Sequence, residues 1–168
     1  MRDRQIDLIA KAAPIHDLGK VGIPDRILLK PGLHTAEESV VMIAHAQIGE
    51  SILGAVAGDE DAGTSLLAVA SRIAGSHHEK WDGSGYPRGL KGQQIPLAGR
   101  LMALADVYDA LMTPRVYKKA WTHEDAMAEI PTLKGISFDP SIIDAFERVA
   151  DQFRAIGIQH GDHQNQTA

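Results

Sequence analysis

The sequence predicts an all-α chain of six or seven helices, interrupted by one long glycine-rich loop. Three observations carry this. Apolar residues recur at helical spacing in segment after segment, each segment bounded by a capping residue, a proline or a glycine. Val, Ile and Thr nowhere alternate long enough to make a strand. The one long stretch without helical pattern, 79–97, holds Gly83, Gly85, Gly89 and Gly92.

The elements follow in order. Residues 4–13 place Ile6, Ile9, Ala10 and Ala13 on one stripe, and Pro14 breaks or bends that helix. Gly19 and Gly22 mark a helix end and a turn. A short helix runs from Pro24 to Leu29 and stops before Lys30-Pro31-Gly32. Thr35-Ala36-Glu37-Glu38 is a capping box, opening a helix to about Leu53 with Val41, His45, Ile48 and Ile52 on its buried face. An acidic loop, Gly58 to Gly63, precedes a helix over about 64–78 that delivers His77 and His78. After the glycine-rich loop, Pro96 leads into a helix from Leu97 to about Met112, carrying Asp106 and Asp109. Thr113 to Lys119 is a basic connector. Thr122 caps a helix ending near Ile130, before Pro131. Asp139-Pro140 starts the last helix, to about Ile156, and 158–168 is a polar, frayed tail. No repeat or linker interrupts 1–157, which reads as one domain.

Composition bounds the chemistry. The chain has 168 residues, 44% hydrophobic and 23% charged, an ordinary globular balance with room for a core. Its net charge of −5 offers no basic field for a nucleic-acid polymer, so a phosphate ligand needs a local cluster of Lys and Arg. Cysteine is absent, which removes disulfides and thiolate metal sites. The eight histidines therefore point to a His/carboxylate centre if the chain binds metal. No apolar run approaches about 18 residues and Met1 to Arg4 lacks a signal-peptide core, so the expectation is a cytoplasmic protein with no membrane span.

Six candidate ligands stand out: His16, Asp17, His45, His77, His78 and Asp106. They fall at helix ends or on apolar helix faces in four separate segments. Four His and two Asp exceed one tetrahedral ion and suit two metals sharing a carboxylate. Asp17, beside His16, fits the bridge. A two-metal centre, with ions about 3.5–4 Å apart, supports in-line phosphoryl displacement. Sulfur-free His/Asp donors fit Fe, Mn, Zn or Ni. Adjacent residues on a regular helix point about 100° apart, so His77 and His78 share a site only at an unwound helix end. Taken singly, each residue has a bland reading: a hydrogen-bonded core histidine, a helix-end pair, a buried acid beside an arginine. His34, His123, His160 and His163 fit no pattern and keep such readings.

These segments resemble the HD-GYP family, a branch of the HD superfamily of metal-dependent phosphohydrolases. His16-Asp17-Leu18-Gly19-Lys20 is similar to the HD signature with its lysine. His77-His78-Glu79 through Gly85-Tyr86-Pro87 is similar to the long signature that names the family, and Leu97 to Lys118 to the segment that follows. The resemblance covers about residues 5–150. It implies an HD-domain helical bundle binding two divalent ions, Fe or Mn first, that hydrolyses the 3′-5′ phosphodiester of cyclic di-GMP to pGpG and in some members GMP. His16, Asp17, His45, His77, His78 and Asp106 become the implied ligands. Asp17 and Lys20 are implied in catalysis. Lys20, Arg115 and Lys118 would meet substrate phosphates, and Gly85-Tyr86-Pro87 would shape the guanine pocket. Two departures follow. Family members add a Glu and a His from a helix upstream, whereas the fifteen residues before His16 contain neither, so an N-terminal part of the family fold, and a sensory or receiver domain, are expected before Met1. Val116 stands where the family places proline. A catalytically weak cyclic di-GMP-binding or protein-interaction module, and an HD phosphohydrolase for another nucleotide, are the alternatives.

Overall fold

The computed structural model describes residues 3–58, 65–114 and 120–164, with side chains described to residue 157. They form an all-α protein. Two compact units divide it, Met1–Ala103 and Leu104–Ala168. Among the described residues there are nine α-helical segments, against the six or seven expected, and no strand.

In the first unit, α1 (Asp3–Ala12) leads into a 3-10 turn, Ala13–Ile15, with Pro14 in its first turn. Proline lacks the N–H that a helix start leaves unpaired anyway. A second 3-10 turn, Leu18–Gly22, and short α2 (Asp25–Leu28) follow. The capping box opens α3 (Ala36–Ile43) as expected: the Glu38 amide donates to Thr35 Oγ1 at 3.3 Å and the Thr35 amide to Glu38 Oε2 at 2.8 Å. The chain breaks at Ala44 and resumes as α4 (His45–Ala57), so the single helix expected to Leu53 is two segments. The buried residues of α4 are His45, Ala46, Gly49, Leu53 and Ala57. This corrects the expected face, since Val41 and Ile52 are exposed. The reason is size. Small residues let α4 approach α5 (Leu66–Ala74) and the 18–22 turn closely, and bulk at Val41 or Ile52 would hold them apart.

Ala12, Leu53, Val69, Ala70, Ile73, Ala74 and Ala98 form the core of this unit, flanked by Leu8, Ile9, Ile15, Leu67 and Met102. Close approach is tightest at Gly19. A Cβ there would fall 1.9 Å from the His45 carbonyl oxygen and 2.5 Å from the Gly49 nitrogen. Gly19 thus serves contact with α4 as well as the turn, and that contact brings Asp17 to His45. Gly19→Ala is expected to lower stability by about 1–3 kcal/mol or more, as overpacking does, read from urea unfolding of the metal-free protein.

The segment Ala36–Ala57 bears on the expectation about membrane spans. It is 22 residues long, and an 18-residue window within it has a mean hydropathy of 1.5, long and apolar enough by length and composition to cross a membrane. The same segment carries buried His45 and the Glu50 carboxylate, which pairs with Arg88.

Residues of α6 (Leu97–Met112) belong to both units. In the second unit, α7 (His123–Glu129) has its own capping box, Thr122 with Asp125. A 3-10 turn, Ile130–Leu133, follows. The Asp139 side chain accepts from the Ser141 amide and Pro140 opens α8 (Pro140–Arg148). The expected last helix is broken at Val149, and α9 (Ala150–Gln164) extends past Ile156 into the segment expected to fray. Tyr108, Phe146 and Phe153 meet edge-to-face, with centroids 4.7–5.9 Å apart. His123, which fitted no pattern, meets the Tyr108 hydroxyl at 2.9 Å through Nδ1.

Candidate metal centre

The first unit gathers four candidate ligands. One donor atom from each of Asp17, His45, His77 and His78 lies within 4.8 Å of all the others. Ligand bonds of about 2.0–2.2 Å separate opposed donors by about 4.4 Å at most, so modest contraction closes such a group on one ion. Asp17 sits in the bend before the 18–22 turn and His45 is the first residue of α4. His77 and His78 stand just beyond α5, which ends at Ala74; 75–78 are turns. The expected helix to 78 is therefore four residues shorter, and this unwinding lets adjacent imidazoles face one place. Their ring centroids are 4.0 Å apart.

Backbone carbonyls set the tautomers. His16 Nδ1 meets the Ala13 oxygen at 2.8 Å, and His45 Nδ1 meets the Met42 oxygen at 2.7 Å. His77 Nδ1 is 3.0 Å from the oxygens of both Ile73 and Ala74. A carbonyl can only accept, so each Nδ1 carries the hydrogen and each Nε2 keeps its lone pair. That is how protein carbonyls orient metal-binding histidines. Each carbonyl lies three or four residues upstream, so local chain geometry builds it.

The Asp17 carboxylate faces two ways. Oδ1 lies 3.4 Å from His45 Nε2 and 3.8 Å from His77 Nε2. Oδ2 lies 3.4 Å from His16 Nε2 and accepts from Lys20 Nζ at 2.5 Å. Asp17 Oδ1 and His77 Nε2 are buried with no hydrogen-bond partner in the protein. A buried acceptor without a donor costs about 1–3 kcal/mol, more for a charged group. Two lone-pair donors share one buried pocket, and His78 Nε2 points at His45 Nε2 from 3.2 Å. The donor set fits a divalent cation. Burial would raise the Asp17 carboxyl, but the hydrogen bond and positive charge of Lys20 hold it well below the usual carboxylate range.

Burial also pushes His78 down to about 3, helped by the neighbouring His77 and His45. His77 is lowered by burial first and then by His16. Unfolded, both titrate near 6.5. Between about pH 3 and 6.5 the unfolded chain therefore binds protons that the folded one does not. The contribution of these histidines to the stability of the metal-free protein is present above 6.5 and is lost as pH falls toward 3. The melting temperature of chelator-treated protein is expected to fall between pH 7 and 5, and less so in His78→Leu. A flat profile for the parent protein contradicts this.

The other candidates are placed as follows. Asp106 lies on α6 among residues of the second unit, half-buried. Arg115 and Lys118 lie outside the described residues. Lys20 is beside Asp17. Gly85, Tyr86 and Pro87 are half-buried in the loop, with the Tyr86 ring centroid 4.7 Å from that of His78 and tilted 32°. Sequence reasoning gave no role to Glu79 or Arg88, although Glu79 adjoins the ligands and is 3% exposed. The signal available was a carboxylate following two histidines.

A family model for the HD domain matches residues 1–142. A cyclic di-GMP phosphodiesterase of Vibrio cholerae is 54% identical over 157 residues, covering 94% of this chain and 32% of the relative. A cyclic di-GMP phosphodiesterase of Thermotoga maritima is 45% identical over 147 residues, covering 85% of this chain and 38% of the relative. A 3′3′-cGAMP-specific phosphodiesterase of Vibrio cholerae is 44% identical, covering 93% and 29%. The chain thus spans about a third of the length of these relatives. With the matched stretch taking in His16-Asp17 and Gly85-Tyr86-Pro87 alike, the chain belongs to the HD domain family and carries the signature of its HD-GYP branch.

Proposed function

We propose that this chain is the hydrolytic domain of a metal-dependent cyclic-dinucleotide phosphodiesterase, with cyclic di-GMP as substrate and pGpG, then GMP, as products. The observation that carries this is Asp17, whose Oδ1 faces His45 and His77 and whose Oδ2 faces His16. His45, His77, His78 and Asp17 would hold one ion; His16 and the other oxygen of Asp17 would supply ligands to a second. Fe or Mn is the proposed metal, with Zn or Ni as alternatives. Such a pair, when bound, activates water at neutral pH and stabilises charge on the phosphoryl oxygens.

The chain's own residues do the rest. Asp17 is held anionic by Lys20, which suits both its oxygens to metal. Lys20, beside it, offsets negative charge gathering on the transferring phosphoryl group. Arg115 and Lys118, from the basic connector, are proposed to hold the second phosphate. Tyr86 offers its ring to a guanine face, as aromatic side chains do to bases. Gly85 and Pro87 keep that ring at the rim. A sensory or receiver domain in a longer parent is the proposed regulatory partner.

The test is hydrolysis by purified protein loaded with Mn²⁺, resolving cyclic di-GMP, pGpG and GMP by chromatography. 3′3′-cGAMP serves as the competing substrate, because relatives divide between the two names. Release of pGpG, faster than cleavage of 3′3′-cGAMP, is the expected result. Tight binding with no cleavage by fully loaded protein would instead make the chain a binding module.

A further inference from the structure

Glu79 is buried, yet it is absent from the cluster of candidate ligands. Both its oxygens are engaged by the glycine-rich loop. Oε1 accepts the Arg88 amide at 2.8 Å, and Oε2 accepts the Leu90 amide at 2.9 Å. A buried carboxylate is tolerated only when so hydrogen-bonded. The Arg88 side chain makes a second anchor. Its Nη1 donates to Glu50 Oε1 at 2.8 Å and Oε2 at 3.0 Å, and its Nη2 to the Gly75 oxygen at 2.9 Å. Glu50 is five residues beyond His45 on α4, and Gly75 is two residues before His77.

The stretch that follows Gly85-Tyr86-Pro87 is therefore fixed to both elements that present His45, His77 and His78. On its other side, the Tyr86 amide donates to the His78 oxygen at 3.1 Å. Space confirms how closely the loop folds on itself: a Cβ on Gly85 would lie 2.3 Å from the Lys80 nitrogen and 2.6 Å from Glu79 Cα. The outcome is a Tyr86 ring laid against His78.

We propose that Glu79 and Arg88 are positioning residues, which fix Tyr86 against His78 and so set the affinity of the site for a cyclic dinucleotide without holding metal. The substrate in that statement rests on the function proposed above; the placement of Tyr86 does not. Glu79→Gln replaces one oxygen by an NH₂, which opposes a loop N–H instead of accepting it. Arg88→Lys keeps the charge and loses the fork.

The test joins two readouts. In metal-free protein, proton NMR follows the His78 ring, whose shifts feel the Tyr86 ring current. Glu79→Gln and Arg88→Lys should each move the His78 resonances toward their position in Tyr86→Leu, with the Tyr108–His123 pair unmoved as a control of fold. In Mn²⁺-loaded protein, each variant should raise KM for cyclic di-GMP by about tenfold to a hundredfold, with metal content held and kcat within about threefold. In the Tyr86→Leu background, Glu79→Gln should add less than about twofold. If Glu79→Gln does not fold, Arg88→Lys decides, because it leaves the buried carboxylate in both amide bonds. His78 resonances that stay in place in the folded variants overturn the proposal, as does additivity with Tyr86→Leu. Movement of His78 without any cleavage of cyclic di-GMP by the parent protein upholds the positioning and rejects the substrate.

Discussion

Asp17→Asn is expected to strip the centre of metal and to lower cyclic di-GMP hydrolysis by about 10³-fold or more, the scale on which loss of a central catalytic group acts. The substitution keeps shape and removes one charge and one oxygen. Both oxygens matter. Oδ1 is buried and unpartnered, facing His45 and His77; Oδ2 faces His16 and accepts from Lys20. Whichever way the amide turns, an NH₂ replaces one of the two donor oxygens. Turned toward Lys20, it meets an ammonium that has nothing to donate to. Turned inward, it satisfies imidazole lone pairs and occupies the cation's place. The fold itself should survive, because the substitution keeps the side chain's shape at a half-buried position. Metal content by elemental analysis, thermal unfolding of metal-free protein and the rate of pGpG release give the answer together. A folded Asp17→Asn protein with parental metal content, or with a rate within tenfold of the parent, removes Asp17 from the centre.

Much of this was legible in the sequence, for physical reasons that differ by residue. Capping boxes at Thr35 and Thr122 are local, and local patterns can be read without tertiary information. The ligand segments are likewise short runs whose donor chemistry is evident. What escaped was set by contact between distant segments. The buried face of α4 follows residue size, with Gly49 against Gly19 and Ala74, and hydrophobicity alone favoured the larger Val41 and Ile52. Gly19 reads as a turn residue, while its tightest constraint is a carbonyl 26 positions later in the chain. The breaks at Ala44 and Val149 leave no proline or glycine to announce them. Glu79 looks like one more polar residue in a polar loop until its two amide partners are seen nine and eleven positions on.

His45→Ala and His16→Ala are expected to separate two metal positions. His45 belongs with His77, His78 and Asp17, a group of four mutually close donors. His16 stands on the other side of the carboxylate, 3.4 Å from Oδ2, with its Nδ1 held by Ala13. The first position has four described donors. The second, as proposed, has from this unit only His16 and the shared Asp17, so these hold it less completely. The first ion should therefore bind more tightly, and two classes of Mn²⁺ affinity should appear in a titration of the parent protein. His16→Ala should keep the tight class and lose the weak one. His45→Ala should lose the tight class, since three donors and a gap remain where four converged. Both variants should fall in hydrolysis rate by about 10²-fold or more, because two-metal displacement needs both ions. The fold offers a control: His16, His45 and His77 are each anchored through an upstream carbonyl, so removing one of them leaves the other two oriented. Stoichiometry by elemental analysis and affinity by calorimetry read the result independently of turnover. A His16→Ala protein that still binds two ions with parental affinities would place His16 outside the second position, and a His45→Ala protein that keeps the tight class would dissolve the first.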